Sequence, residues 1–234
     1  MEISERSLKL LSNRKALRNI LSRLAVQAGE ITLDYFEDAG YVGADIKADG
    51  SPVTLADQKA EALIEEELKK LLPDVLMVGE ESASERERPD LSKHEYFFLV
   101  DPLDGTKEFI KRNGEFTVNI ALVKGNEVVF GVVYVPVSDE LFWAAKEQGA
   151  YLQQKGQDKQ LQAASFRMTD AGLKVVASRS HLNDETKAFV DQLNTPELVS
   201  KGSSLKLLLV ASGAAHLYPR LAPTMEGDTA AAQI

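Results

Sequence analysis

The sequence predicts an α/β protein (α+β layered), with an antiparallel-rich first part followed by an α/β second part. Three observations carry this reading. Residues 8–36 and 54–72 place apolar side chains at helical spacing. Residues 116–153 break into short apolar runs separated by turn residues such as Gly125-Asn126. Beyond the polar stretch "QKGQDKQLQ" at 154–162, strand-like and helix-like runs alternate again.

Taken in chain order, Leu8, Leu11, Leu17, Ile20, Leu21, Leu24, Ala25, Ala28, Ile31 and Tyr35 mark one long helix or two. "GYVGADIKADGSPVT" (40–54) reads as a loop or hairpin. Residues 54–72 form a helix that Thr54 or Asp57 caps and Pro73 stops, with Ala60, Leu63, Ile64, Leu68 and Leu71 on its apolar face. "VLMVG" (75–79) and "YFFLV" (96–100) are buried strands, and "TKEFI" (106–110) starts a helix. Strands follow at 116–124, 127–135, 140–145 and 150–153. The remainder reads as a strand ("LKVVAS"), a helix at 184–193, a helix ended by Gly213 ("SLKLLLVASG"), a strand ("AAHLYPR") and a helix start after Asp228. The chain thus divides into two subdomains, 1–153 and 154–234.

Composition removes several classes. At 234 residues, with 44% hydrophobic and 27% charged, the chain can bury a sizeable core as one large domain or two modest ones. No apolar run approaches the ~20 residues that span a bilayer. The N-terminus lacks the layout of a signal peptide. The absence of cysteine excludes disulfides and thiolate metal sites and fits a cytoplasmic location. The net charge of −9, with no large Lys/Arg cluster, argues against nucleic acid as a partner. Any anionic substrate would need cations placed locally to reverse that field.

Acidic groups recur just past apolar segments: Glu80 and Glu81 after 75–79, Asp101 and Asp104 after 96–100, and Asp228 before a helix start. Carboxylates brought together from separate segments hold hard divalent cations, and Mg²⁺ wants about six oxygens. In "VDPLDGTKEF", Asp101 suits a bridge between two ions and Asp104 a contact to one. Pro102 helps turn the Leu103 carbonyl toward an ion. Gly105 allows close backbone approach, and the N–H groups from Thr106 onward suit a phosphate. Each motif alone has a bland reading: D-x-x-D-G-T as a capped turn, Glu80-Glu81 as a solvated pair, Asp57 as a helix cap. Their co-occurrence weighs against the bland readings. His94, His181 and His216 show no ligand spacing.

"GEES" (79–82), "VDPLDGTKEFI" (100–110) and "EGDTAA" (226–231) resemble the three metal motifs of the inositol monophosphatase superfamily. "DPLDGTKEFI…NGEFTVNIALV" and "GSSLKLLLVASGAAHLYPRLAPTMEGDTAA" are more similar still to its 3′(2′),5′-bisphosphate nucleotidase branch, the bacterial type linked to sulfate assimilation. The resemblance implies an inositol monophosphatase-like sugar-phosphatase fold of alternating helix and sheet layers, with 1–153 binding metal and 154–234 binding substrate. It implies two to three Mg²⁺ ions. Glu80, Asp101 and the Leu103 carbonyl would hold the first, and Asp101, Asp104 and Asp228 the second. Asp57 and Thr106 would orient and deprotonate the attacking water. Gly105 and Thr106 would hold the scissile phosphate, and Lys107 would add positive charge, with Lys47 a further candidate. Gly202, Ser203 and Ser204 would line a nucleotide pocket, and Arg220 would meet a second phosphate. The implied reaction converts adenosine 3′,5′-bisphosphate to AMP and phosphate, with lithium sensitivity. The resemblance also extends to the 3′-phosphoadenylyl sulfate analogue as substrate and allows a homodimer.

Two departures stand out. Gly227 occupies a position that is usually tryptophan in the family, which predicts looser packing around Asp228. The family pattern also runs on past "DTAAAQ", so the second subdomain is expected to be truncated at its end. The alternatives are an inositol or sugar monophosphatase, and a catalytically weakened metal or nucleotide binder.

Overall fold

A computed structural model describes residues 3–38, 40, 45–46, 52–85, 89–177, 183–221 and 226–234. Two helices open the chain, α1 (Glu5–Ser12) and α2 (Arg14–Glu37). Asn13 breaks the stripe between them: its side chain accepts the Ala16 N–H at 3.0 Å and so starts a new helix. A short ribbon, β1 (Asp45–Ile46) and β2 (Pro52–Val53), precedes α3 (Leu55–Leu71). Then come β3 (Leu76–Gly79), α4 (Glu80–Glu85), β4 (Tyr96–Asp104), α5 (Thr106–Ile110), β5 (Thr117–Lys124) and β6 (Glu127–Val135). They lead into β7 (Glu140–Ala145), β8 (Gly149–Gln154), β9 (Gln157–Gln160) and β10 (Lys174–Ala177). The chain ends with α6 (Asp184–Val190), β11 (Glu197–Ser200), α7 (Leu205–Ala211) and α8 (Glu226–Gln233).

Strands β3 to β9 form one seven-stranded sheet in sequence order, parallel between β3 and β4 and antiparallel elsewhere. β10 and β11 pair in parallel as a separate sheet. Two expectations change. The polar run at 154–162 contains β9, an edge strand whose side chains are all exposed, which is why no apolar pattern marks it. "AAHLYPR" contributes only a bridge from Leu217 to Val175.

The period-2 alternation of strands sends side chains to two faces that are covered differently. Phe98, Val100, Ile120, Leu122, Phe130 and Val132 pack on α2 and α3 through Leu17, Leu21, Leu24, Ala60 and Ile64. The opposite face presents Ala121, Val133 and Val135 to Leu208 of α7 and to Ala230 and Ala231 of α8. Asp101 and Asn119 are paired across β4 and β5, and both alternate onto this second face. A smaller cluster of Ala56, Leu103, Phe109 and Phe116, with Phe36 against it, fixes α5 at the end of β4.

α8 lies close on the sheet because β6 has a glycine beneath it. A Cβ added at Gly131 would fall 2.2 Å from the Ala231 carbonyl oxygen. Gly131→Ala is therefore expected to lift α8, carrying Asp228 with it, at a cost of about 1–3 kcal/mol for overpacking. Chemical denaturation reads this directly; an unchanged midpoint would show that α8 does not seat there.

Candidate active site

The site forms where β3 and β4 end and α8 begins. Glu80, Asp101 and Asp228, from three separate elements, each offer an oxygen lying within 4.8 Å of the others. The parallel pairing of β3 with β4 puts Gly79 beside Val100, so Glu80 and Asp101 leave the sheet as neighbours. Asp101 is 1% exposed. Its Oδ1 accepts the Leu103 N–H at 3.0 Å, and its Oδ2 has no hydrogen-bond partner among the described residues. Burial, and then the charges of Glu80, Asp104 and Asp228, push the Asp101 carboxyl well above the ordinary carboxylate range.

Asp104 is held on the other side of the cluster. Its Oδ2 accepts the Ser204 N–H and hydroxyl, both at 2.6 Å, and Asn119 Nδ2 at 3.4 Å. Asn119 also donates to Ser204 Oγ at 2.7 Å, and Ser204 Oγ lies 3.0 Å from the Asp228 carbonyl oxygen. One hydroxyl thus ties α7 to two acidic stations. Burial and the Asp228 charge push Asp104 up to about 6, against the opposing pull of Ser204 and Lys206.

A hard cation fits this donor set. It consists of oxygens only, it gathers like charges that repel, and it buries an oxygen on Asp101 that no donor among the described residues satisfies.

The remaining expected residues fall around the cluster. Asp57 is buried at the start of α3, where its Oδ2 accepts the Thr54 N–H at 2.8 Å and the Thr54 hydroxyl at 2.5 Å. Its Oδ1 lies 3.5 Å from the Thr106 hydroxyl, which is also 3.4 Å from the Leu103 carbonyl oxygen. Asp57 is therefore both a cap and a neighbour of Thr106. Gly105 has φ +96°, a left-handed conformation that turns the chain from β4 into α5. Lys107 is exposed. The Gly202 N–H is donated to Glu115 at 2.8 Å, and Ser203, at φ +45°, accepts Lys206 on its carbonyl at 2.6 Å. Gly227 opens α8 with its Cβ position 3.6 Å from Asp101 Cβ, so its backbone lies directly against the cluster. Lys47 and His181 lie outside the described residues.

Lys206 escapes sequence reading. It is buried, 9% exposed, on α7, its ring neighbour is Tyr218 at 5.8 Å, and burial lowers its pKa. Asp104, Glu108 and Asp228 pull that pKa back up, while Arg220 lowers it further. Arg220 Nη1 in turn lies 3.4 Å from the Tyr218 hydroxyl. The sequence signal was a lone cation inside the apolar run "LKLLLV".

The folded value near 6 for Asp104 exceeds the 3.8 of a free side chain. Between these values the folded chain binds the extra proton, so stability falls as pH rises, and the penalty is fully present above the folded value. A cation bound only by the folded form reverses this. In chelator the melting temperature is expected to fall from about pH 4 to about pH 7, and Mg²⁺ to raise it more at the higher pH. A melting temperature indifferent to Mg²⁺ at neutral pH would contradict the cluster's role.

The inositol monophosphatase family model matches residues 13–234. The 3′(2′),5′-bisphosphate nucleotidase CysQ of Salmonella typhimurium is 45% identical over 210 residues, covering 89% of this chain and 82% of that one. Its counterpart in Buchnera aphidicola is 35% identical over 218 residues, covering 93% and 80%. The crystal structure of CysQ from Bacteroides thetaiotaomicron, described as a bacterial member of the inositol monophosphatase family, superposes with a TM-score of 0.76. That match has 39% identity and covers 95% of this chain and 85% of that one. On these matches the chain belongs to the inositol monophosphatase family.

Proposed function

We propose that this chain is a Mg²⁺-dependent 3′(2′),5′-bisphosphate nucleotidase that hydrolyses the 3′-phosphate of adenosine 3′,5′-bisphosphate to AMP and phosphate. The observation that carries the reading is the oxygen cluster of Glu80, Asp101 and Asp228, with buried Lys206 in electrostatic reach of Asp104 and Asp228 and half-buried Arg220 near Lys206. The acids suit cations at the scissile phosphate, and the two basic side chains suit a second phosphate that a sugar monophosphate lacks.

In this reading Glu80, Asp101, Asp104, Asp228 and the Leu103 carbonyl would hold two to three magnesium ions. When bound, the metal supplies positive charge that polarises the phosphoryl group and acidifies water. Thr106 accepts a hydrogen bond from the attacking water and passes the proton to Asp57, with which its hydroxyl is already in range at 3.5 Å. The N–H groups of Gly105 and Thr106 start α5 and have no partners in its ladder, so they can meet the phosphate oxygens. Ser204 keeps Asp104 in place, and Ser203 and Gly202 shape the pocket wall that carries Lys206. Lys107, at the rim, adds charge.

The subdomain division at 1–153 and 154–234 belongs to the same reading; the separate β10–β11 sheet supports it, whereas β9 carries the main sheet past residue 154 to Gln160. No described helix is long and apolar enough to cross a membrane. A cytoplasmic setting is supported by the lack of cysteine, and a homodimer by the resemblance alone.

Phosphate release with Mg²⁺ from adenosine 3′,5′-bisphosphate, compared with inositol 1-phosphate, tests the assignment. The bisphosphate is expected to be preferred; preference for inositol 1-phosphate would overturn it, and Mg²⁺-dependent binding without turnover would point to a weakened binder. Asp101→Asn is expected to lower turnover beyond the ~10–100-fold typical of an outer-shell change while the protein stays folded. Arg220→Glu is expected to cost about ten- to a hundredfold on the bisphosphate and little on a monophosphate. Equal loss on both substrates would remove Arg220 from the second-phosphate site.

A further inference from the structure

Glu61 belongs to none of the sequence motifs, yet it supports the turn that delivers Glu80. It sits on α3 one turn beyond Asp57, on the same face, and is 4% exposed. Its Oε2 accepts the Glu81 N–H and its Oε1 the Ser82 N–H, each at 2.8 Å. Both donors follow Glu80 directly, so one carboxylate grips the backbone on which Glu80 is mounted. Gly79, immediately before Glu80, makes room for it: a Cβ there would fall 2.3 to 2.5 Å from the Glu61 carboxylate atoms.

The physical need for such a grip is plain. Glu80 faces Asp101 and Asp228, and their like charges drive it outward whenever no cation lies between them. A six-residue helix following a four-residue strand has little packing of its own to resist that push. Two charge-assisted hydrogen bonds donated by backbone N–H groups to a buried carboxylate hold the turn in one conformation.

We propose that Glu61 is a positioning residue for the metal site: it locks the turn 79–82 so that Glu80 points into the cluster, and it acts on cation affinity only through Glu80. This inference rests on the metal-dependent reading above. It follows the general pattern in which groups behind the ligands tune metal binding by about 10–100-fold.

The test is Mn²⁺ titration of the metal-stripped full chain, with unbound Mn²⁺ followed by electron paramagnetic resonance. Glu61→Gln keeps the shape but leaves one acceptor oxygen for two N–H groups, and is expected to weaken the tightest site by about 10-fold or more. In a Glu80→Gln background the same change is expected to alter affinity by less than about twofold, because nothing remains for it to position. Gly79→Ala provides a second route: its Cβ displaces the Glu61 carboxylate, so it too is expected to weaken Mn²⁺ binding, and to do so far less once Glu61→Ala has removed the obstructed group. It is read in the same way should Glu61→Gln fail to fold. A lowered melting temperature with unchanged Mn²⁺ affinity, or an equal loss with and without Glu80, would overturn the inference and leave the metal reading standing. Failure of the unsubstituted chain to take up Mn²⁺ would overturn both.

Discussion

Everything about this fold's working end follows from forcing carboxylates together where water is scarce. Glu80, Asp101 and Asp228 come within 4.8 Å of one another, and Asp104 joins them electrostatically. Each ionised pair at that range repels by roughly 3 kcal/mol at an effective dielectric constant of about 20. Protons or cations must therefore enter, and the raised values of Asp101 and Asp104 are the proton solution to the same problem. A chain that keeps such a cluster needs a rigid frame behind it.

The frame is visible layer by layer. Alternation along β4 and β5 separates an apolar face, packed on α2 and α3, from a face that carries Asp101 and Asn119 toward α8. Gly131 lets α8 settle close enough for Asp228 to reach the cluster. α3 braces the site at two successive turns, Asp57 against Thr106 and Glu61 against the turn bearing Glu80. On the far side, Asn119 and Ser204 fix Asp104. Lys206, with Arg220 near it, places positive charge in electrostatic reach of Asp104 and Asp228 in a chain whose net charge is −9.

Much of this was legible in the sequence because it is local. The strand ending in "DPLD", the glycine turn into α5, the Thr54–Asp57 start of α3 and the hairpin at Gly125-Asn126 each declare themselves within a few residues. The clustered acids also stood out, since carboxylates placed at the ends of apolar strands have no packing role. What stayed hidden depends on contacts across the chain. Asn119 meets Ser204 from 85 positions away, and Ser204 meets Asp104 from 100. Nothing in the neighbourhood of either residue signals the partner. Glu61 looks like one more charge on an amphipathic helix until β3 and α4 are packed beside it. α4 itself lacks a periodic stripe, and β9 has no buried side chain to reveal it.

The most direct measurement is anomalous scattering from crystals of this chain grown or soaked in Mn²⁺. The account predicts a peak enclosed by the carboxylates of Glu80, Asp101 and Asp228, with Asp101 Oδ2 turned toward it. Carboxylates splayed apart around an empty centre, in crystals where Mn²⁺ is bound elsewhere or not at all, would contradict it.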